Sequence, residues 1–170
     1  SHELRTPTAV IISQAEYALG PGVSPEEREG ALEAILRQAR RMSVMLGQLL
    51  LLARAESGKF RPQRERIDFS ELCEMVSLEL EDGIEKRGLT LETRLEPGVF
   101  LWGDETLLMR AVTNLLQNAA AYNRPGGRVE LSLRRDGGDC LLEVRDTGVG
   151  IAPEDLERIW ERFYRADPSR

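Results

Sequence analysis

Apolar residues recur at helical spacing from Leu4 to Leu19, through Ile11, Ile12, Ala15 and Ala18, and predict a first helix. Gly20-Pro21-Gly22 ends that pattern, two glycines flanking a proline. A second helix is announced at once: Ser24 is a good N-cap, Pro25 suits the first helical position, and Glu27 completes an S-x-x-E capping box. Beyond it Leu32, Ile35, Ala39, Met42, Leu46, Leu49 and Ala53 alternate steps of three and four, a heptad seam that requires a partner helix. This helix is expected to reach about Ser57, where Gly58 ends it, a span of about 45 Å. Leu36, Leu50, Leu51 and Leu52 widen the stripe beyond what one partner covers. Two copies of the hairpin are therefore expected to build a four-helix bundle, making the chain a homodimer.

The pattern changes after Gly58. Residues 59–66 are mostly polar and read as a linker, with a strand near Ile67. Asp68 can cap a helix carrying Leu72, Val76 and Leu80 that fades near Gly88. Leu89, Leu91 and Thr93 alternate with polar residues, and Val99 to Trp102 is a second short β segment. Asp104 to Tyr122 is strongly periodic, with Leu107, Leu108, Ala111, Val112, Leu115, Leu116 and Ala119 assigned to one side. Pro125-Gly126-Gly127 is a turn, and two period-two segments, Arg128 to Arg134 and Cys140 to Arg145, form a hairpin around Asp136-Gly137-Gly138. The expected class is α+β: a helical hairpin over residues 1–58, a linker over 59–66, and an α/β sandwich over 67–170 with helices on one face of a mixed sheet.

Composition narrows the field modestly. A net charge of −6, with arginines and glutamates interleaved, leaves no basic footprint for a nucleic acid. No run of eighteen apolar residues is present, so any membrane attachment would rest on segments absent from this chain. Cys73 and Cys140 lack a CxxC partner or zinc-ligand spacing and each falls on an apolar face, which fits two core thiols in a reducing compartment.

Three groups could carry chemistry. His2, two positions from Leu4, lies about 200° around the helix from the apolar stripe and should face solvent. Asn114 and Asn118, four apart, share one helix face. Asparagine is a mediocre helix former, so the pair needs a reason. Their carboxamide oxygens could coordinate a hard cation such as magnesium together with nucleotide phosphates, or both could bond a neighbouring loop. Asp146-Thr147-Gly148-Val149-Gly150 follows the last clear strand, where a carboxylate can accept a hydrogen bond from an exocyclic amine such as adenine's and glycines allow close backbone approach. No G-x-x-x-x-G-K-[ST] occurs, and the two lysines, Lys59 and Lys86, lie in no phosphate loop, which excludes Walker-type NTPases and lysine-dependent protein kinases.

Together the motifs resemble those of sensor histidine kinases from two-component systems. Ser1-His2-Glu3-Leu4-Arg5-Thr6-Pro7 resembles the phosphoacceptor motif, Asn114-Leu115-Leu116-Gln117-Asn118-Ala119 the asparagine box, Asp146 to Ile151 the first glycine box, and Glu161-Arg162-Phe163-Tyr164-Arg165 the phenylalanine box. The four stand in the family's order along the whole chain. The resemblance implies a dimerisation and phosphotransfer hairpin followed by an ATP-binding domain of the gyrase, heat-shock and histidine-kinase superfamily. It implies autophosphorylation of His2 by ATP, orientation or deprotonation of its imidazole by Glu3, and transfer to an aspartate of a response-regulator receiver domain. Thr6 would position water for dephosphorylation of that regulator. Asn118 would bind Mg2+ with Asn114 nearby, Asp146 would select adenine within the Gly148 and Gly150 turn, Tyr122 would lie beside the nucleotide, and Arg165 could contact phosphate.

Two departures stand out. Ala121 occupies a position that in the family often holds a basic residue. The chain also ends at Arg170, before the family's second glycine-rich box and its final strand and helix. The expectation is that residues lie beyond those given, in the cytoplasmic part of a membrane-anchored sensor. A catalytically degenerate dimeric scaffold of the same fold is the main alternative, and an enzyme serving mainly as a regulator phosphatase is the other.

Overall fold

The computed structural model describes residues 2–57, 61–161 and 164, and the side chains of all these except residues 2, 3, 48, 52 and 54–56. The expected helix stop at Gly58 and most of the phenylalanine box, including Arg165, lie outside the described residues. The chain divides into two compact units, Ser1–Arg61 and Pro62–Arg170.

The first unit is a helical hairpin of α1 (His2–Leu19) and α2 (Pro25–Glu56). The capping box is reciprocal: the Ser24 N–H donates to Glu27 Oε2 at 2.8 Å and the Glu27 N–H donates to Ser24 Oγ at 3.2 Å. Tyr17, near the end of α1, donates its hydroxyl to Glu27 Oε1 at 3.1 Å, so one carboxylate fastens the start of α2 to the helix before it. Pro7 sits buried inside α1 and removes one helical donor, while Thr8 Oγ1 bonds back to the Leu4 carbonyl at 2.7 Å. The heptad seam divides into two columns. Ile35, Met42 and Leu49 are half-buried, whereas Leu32, Ala39, Leu46 and Ala53 are exposed, joined by exposed Leu36 and Leu50.

The second unit is an α/β arrangement built on two sheets. β1 (Glu65–Asp68) pairs antiparallel with β3 (Phe100–Gly103); β2 (Thr90–Leu95) runs parallel to β4 (Arg128–Asp136), which pairs antiparallel with β5 (Asp139–Asp146). α3 (Phe69–Glu85) starts where Asp68 accepts from the backbone N–H groups of Ser70 and Glu71. α4 (Glu105–Ala121) starts where Asp104 Oδ1 accepts from the Leu107 N–H at 3.1 Å. Alternate residues Val129, Leu131 and Leu133 of β4 are fully buried and meet Cys73 and Val76 of α3 and Val112 and Leu116 of α4 in one core.

One assignment requires correction. Ala111 and Leu115, placed with the apolar side of α4, are exposed, Leu115 at 45%. The helix is apolar over two neighbouring columns, and the buried residues are Val112, Leu116, Ala119 and Ala120, with Leu108 and Met109 packed against the core beside them. The exposed column of Ala111 and Leu115 shares the open face with Asn114 and Asn118.

Candidate functional site

α4 presents Asn114 and Asn118 on its exposed face because its buried column anchors the opposite side. Neither carboxamide hydrogen-bonds to another described residue, so the loop-bonding explanation for this pair has no support among the described residues. At the helix end the Tyr122 N–H donates to the Asn118 carbonyl at 3.1 Å, which places Asn118 one turn before Tyr122. Tyr122 is 42% exposed, and Ala121 beside it is also exposed.

The backbone of Tyr122 joins this helix to the glycine turn. Its carbonyl accepts the Val149 N–H at 3.1 Å. Gly148 lies so close that a Cβ there would overlap the Tyr122 carbonyl oxygen and come within 2.7 Å of Asp146 Oδ1. Gly148 is thus required for space. Gly150 meets a different requirement: it has φ +72 with open space around it, a left-handed conformation that side chains disfavour. Between β5 and these glycines stands Asp146, the last strand residue, exposed, with Oδ1 accepting the Gly148 N–H at 2.8 Å. Its second oxygen accepts no hydrogen bond from a described residue.

The folded chain therefore gathers the end of the asparagine helix, an exposed tyrosine and a free carboxylate oxygen around one glycine turn. Such a set can offer carboxamide oxygens to a hard cation, an acceptor to an amino group and a flat ring to a base. Among the described residues no cluster of His, Cys, Asp or Glu could hold a metal by itself. The segment beyond Gly150 contains a short 3-10 turn, Pro153–Asp155, and an Asp155 carboxylate accepting the Tyr164 hydroxyl, with the Arg158 guanidinium 4.3 Å from the Tyr164 ring centroid. Val149 in the glycine turn, and Ile151, Leu156 and Trp160 along this segment, are exposed.

His2 is the first residue of α1, and Thr6 is exposed one turn further on. Both belong to the other unit. Arg165 lies outside the described residues. Sequence reasoning missed a further pair at the site, Asn123 and Thr147, whose side chains hydrogen-bond at 3.1 Å across 24 positions of sequence. Only the polar residue types next to the Pro125-Gly126-Gly127 turn hinted at it.

Comparison with known proteins bears on both units. Residues 1–58 match the His Kinase A (phospho-acceptor) domain, and residues 103–170 match the histidine kinase-, DNA gyrase B- and HSP90-like ATPase family. The sensor-like histidine kinase SenX3 of Mycolicibacterium smegmatis is 32% identical over 170 residues, all of this chain and 44% of the relative. The chain thus spans less than half the length of that curated relative. Among solved structures, the Acinetobacter baumannii histidine kinase AdeS superposes with a TM-score of 0.80 at 26% identity, covering 91% of this chain and 77% of that one. The histidine kinase ThkA, solved in complex with the response regulator TrrA, shares the fold with a TM-score of 0.76 at 22% identity, over 96% of this chain and 48% of that one.

Proposed function

Because the chain belongs to the sensor histidine kinases, over their phosphoacceptor hairpin and ATP-binding domain, we propose that it is an ATP-dependent autokinase that phosphorylates its own His2. The observation that carries this reading is the contact of Gly148 and Val149 with the Tyr122 backbone, which puts the Asp146 carboxylate beside the end of the Asn114–Asn118 helix. Asp146 accepts from the adenine amino group through its open oxygen, and Gly148 and Gly150 bring the backbone against the nucleotide. Tyr122 lies along the base. Asn118, with Asn114 beside it, would hold Mg2+ through neutral carboxamide oxygens. When bound, the ion offsets the charge of the phosphates. Arg165 is the candidate phosphate contact in place of the basic residue missing at Ala121.

An imidazole with an ordinary pKa of about 6.5 is substantially neutral near pH 7 and can act as a nucleophile. One ring nitrogen of His2 attacks the γ-phosphorus, the bond from that phosphorus to the bridging oxygen breaks, and ADP leaves with the electron pair. The proton on the other ring nitrogen passes to the Glu3 carboxylate. The phosphoryl group then moves to an aspartate of a response-regulator receiver domain, the class of partner with which ThkA was solved. Thr6 positions water for the reverse task, dephosphorylation of the regulator, and Thr6→Ala should lower that activity while sparing autophosphorylation.

The exposed leucine column of α2, Leu32, Leu36, Leu46 and Leu50, supports homodimerisation through a four-helix bundle. Among the described residues no helix is long and apolar enough to cross a membrane. We place the chain in the cytoplasm, as part of a longer sensor.

Calorimetric titration of the intact protein tests the nucleotide site. Wild type should bind ATP with Mg2+ and prefer it over GTP, and Asp146→Asn should lose that preference. Absence of adenine-nucleotide binding by the wild type would overturn the reading.

A further inference from the structure

Asn123 immediately follows Tyr122, the C-cap of α4, and its carboxamide is engaged at both its oxygen and its nitrogen. Oδ1 accepts the Arg124 N–H at 2.9 Å and the Thr147 hydroxyl at 3.1 Å, while Nδ2 donates to the Arg128 carbonyl at 3.0 Å. Thr147 Oγ1 in turn accepts the Arg128 N–H at 2.8 Å, and the Thr147 N–H donates to the Arg128 carbonyl at 3.1 Å. Two donors meet Oδ1 and one carbonyl meets Nδ2, so the network itself fixes the orientation of the amide. Three segments converge here: the end of α4, the first residue of β4 and the glycine turn after β5.

Gly127 supplies the room. A Cβ at that position would overlap Asn123 Oδ1 and come within 2.7 Å of Thr147 Oγ1 and 2.8 Å of the Arg124 carbonyl. The Pro125-Gly126-Gly127 turn thus does more than reverse the chain: its second glycine leaves a space that the carboxamide and the hydroxyl share. The polar atoms of both side chains are engaged by each other and by the backbone of Arg124 and Arg128.

We infer that Asn123 and Thr147 form a positioning clamp that sets the distance between the asparagine-bearing end of α4 and the Asp146 turn, and so tunes nucleotide affinity without touching the nucleotide. This rests on the proposed nucleotide site. The clamp locks the residues adjacent to Tyr122 on one side and to Asp146 and Gly148 on the other, and the direct Val149 to Tyr122 hydrogen bond joins the same two segments. Releasing either partner frees the same joint, so the two residues act as one unit.

The test is a double-mutant cycle on the intact protein, measuring the dissociation constant for ATP with Mg2+ and, separately, thermal unfolding. Asn123→Ala and Thr147→Val should each weaken binding about tenfold, the scale seen when one supporting hydrogen-bond partner is lost. The double variant should be no weaker than either single one, because the clamp fails as a unit. Thr147→Ser, which keeps the hydroxyl, should return affinity to within about threefold of wild type. Three outcomes overturn the inference: affinity unchanged while the unfolding temperature falls, losses that multiply in the double variant, or a Thr147→Ser variant as weak as Thr147→Val. If the wild type itself binds no adenine nucleotide, the proposed function fails and the clamp falls with it. If the wild type binds and the variants bind equally well, only the clamp fails.

Discussion

Gly148 and Gly150 stand two residues apart in one turn and are held there by different forces, so alanine at each should cost different amounts. At Gly150 the added methyl meets open space, and the cost is that of holding a side-chain-bearing residue at φ +72, about 1 kcal/mol. At Gly148 the methyl would overlap the Tyr122 carbonyl oxygen and lie 3.0 Å from the Tyr122 carbonyl carbon. Both are backbone atoms that cannot rotate away. Relieving the overlap means parting the turn from the end of α4, which breaks the Val149 to Tyr122 hydrogen bond. Overpacking of this kind costs about 1–3 kcal/mol and the hydrogen bond about 1 kcal/mol net, so Gly148→Ala should destabilise the second unit by about 3 kcal/mol. Native-state hydrogen exchange at the Leu131 and Leu133 amides suits the measurement, since the fully buried side chains of both residues place them in the core and such positions exchange only when the unit opens globally. The variant should lose about 2 kcal/mol more protection there than Gly150→Ala does. Equal losses at the two glycines would refute the reasoning. So would a loss confined to the Val149 amide with β4 unchanged, because the turn would then be detachable at little cost.

Two more predictions concern groups with displaced ionisation. The Glu27 carboxyl is held below its usual range by the Ser24 backbone N–H, then the Ser24 side chain and the Tyr17 hydroxyl. A depressed carboxylate pKa adds stability above the ordinary value of 4.5 and loses it as pH falls through the lower folded value, so the hairpin should weaken in acid. Tyr17→Phe should move the Glu27 titration, followed by NMR, back toward 4.5; an unchanged titration would contradict the contact. Burial, with a smaller contribution from Cys140, pushes the Cys73 thiol up to about 12. Ellman's reagent should therefore label half-buried Cys140 first and Cys73 only as fast as the unit unfolds, and comparable rates at neutral pH would show the core around Cys73 to be open.

Local signals were plain in the sequence wherever a side chain acts on its own neighbourhood. Ser24 with Glu27, and Asp68, cap the helices that their residue types and spacing announce, and the structure adds Asp104, read as the first residue of its helix, as the cap of α4. The hairpin between β4 and β5 follows from period-two alternation around Gly137, which takes φ +63. What periodicity could not decide is which of two apolar columns a helix buries. Leu115 and Leu116 are adjacent and equally apolar, yet one is 45% exposed and the other fully buried, because the choice is made by the sheet and not by the helix. The parallel pairing of β2 with β4 and the separation of β1 and β3 into their own sheet are likewise set by contacts between distant segments. At the site, Asp146 and the asparagine helix were visible as motifs. Their meeting was implied only by the family resemblance and not by the residues themselves, since it depends on a Tyr122 carbonyl, which any residue type would supply, and on Asn123 and Thr147, whose pairing spans 24 positions.

Phosphate on a histidine is the heart of the proposal, and it can be sought directly. Intact protein incubated with ATP labelled at the γ-phosphate and Mg2+ should acquire label that is lost in acid and kept in alkali, as a phosphorus–nitrogen bond requires. The His2→Ala variant should acquire none. Label that resists acid, or label that persists in His2→Ala, would contradict the assignment of His2 as the acceptor, and no label on the wild type would contradict the kinase itself.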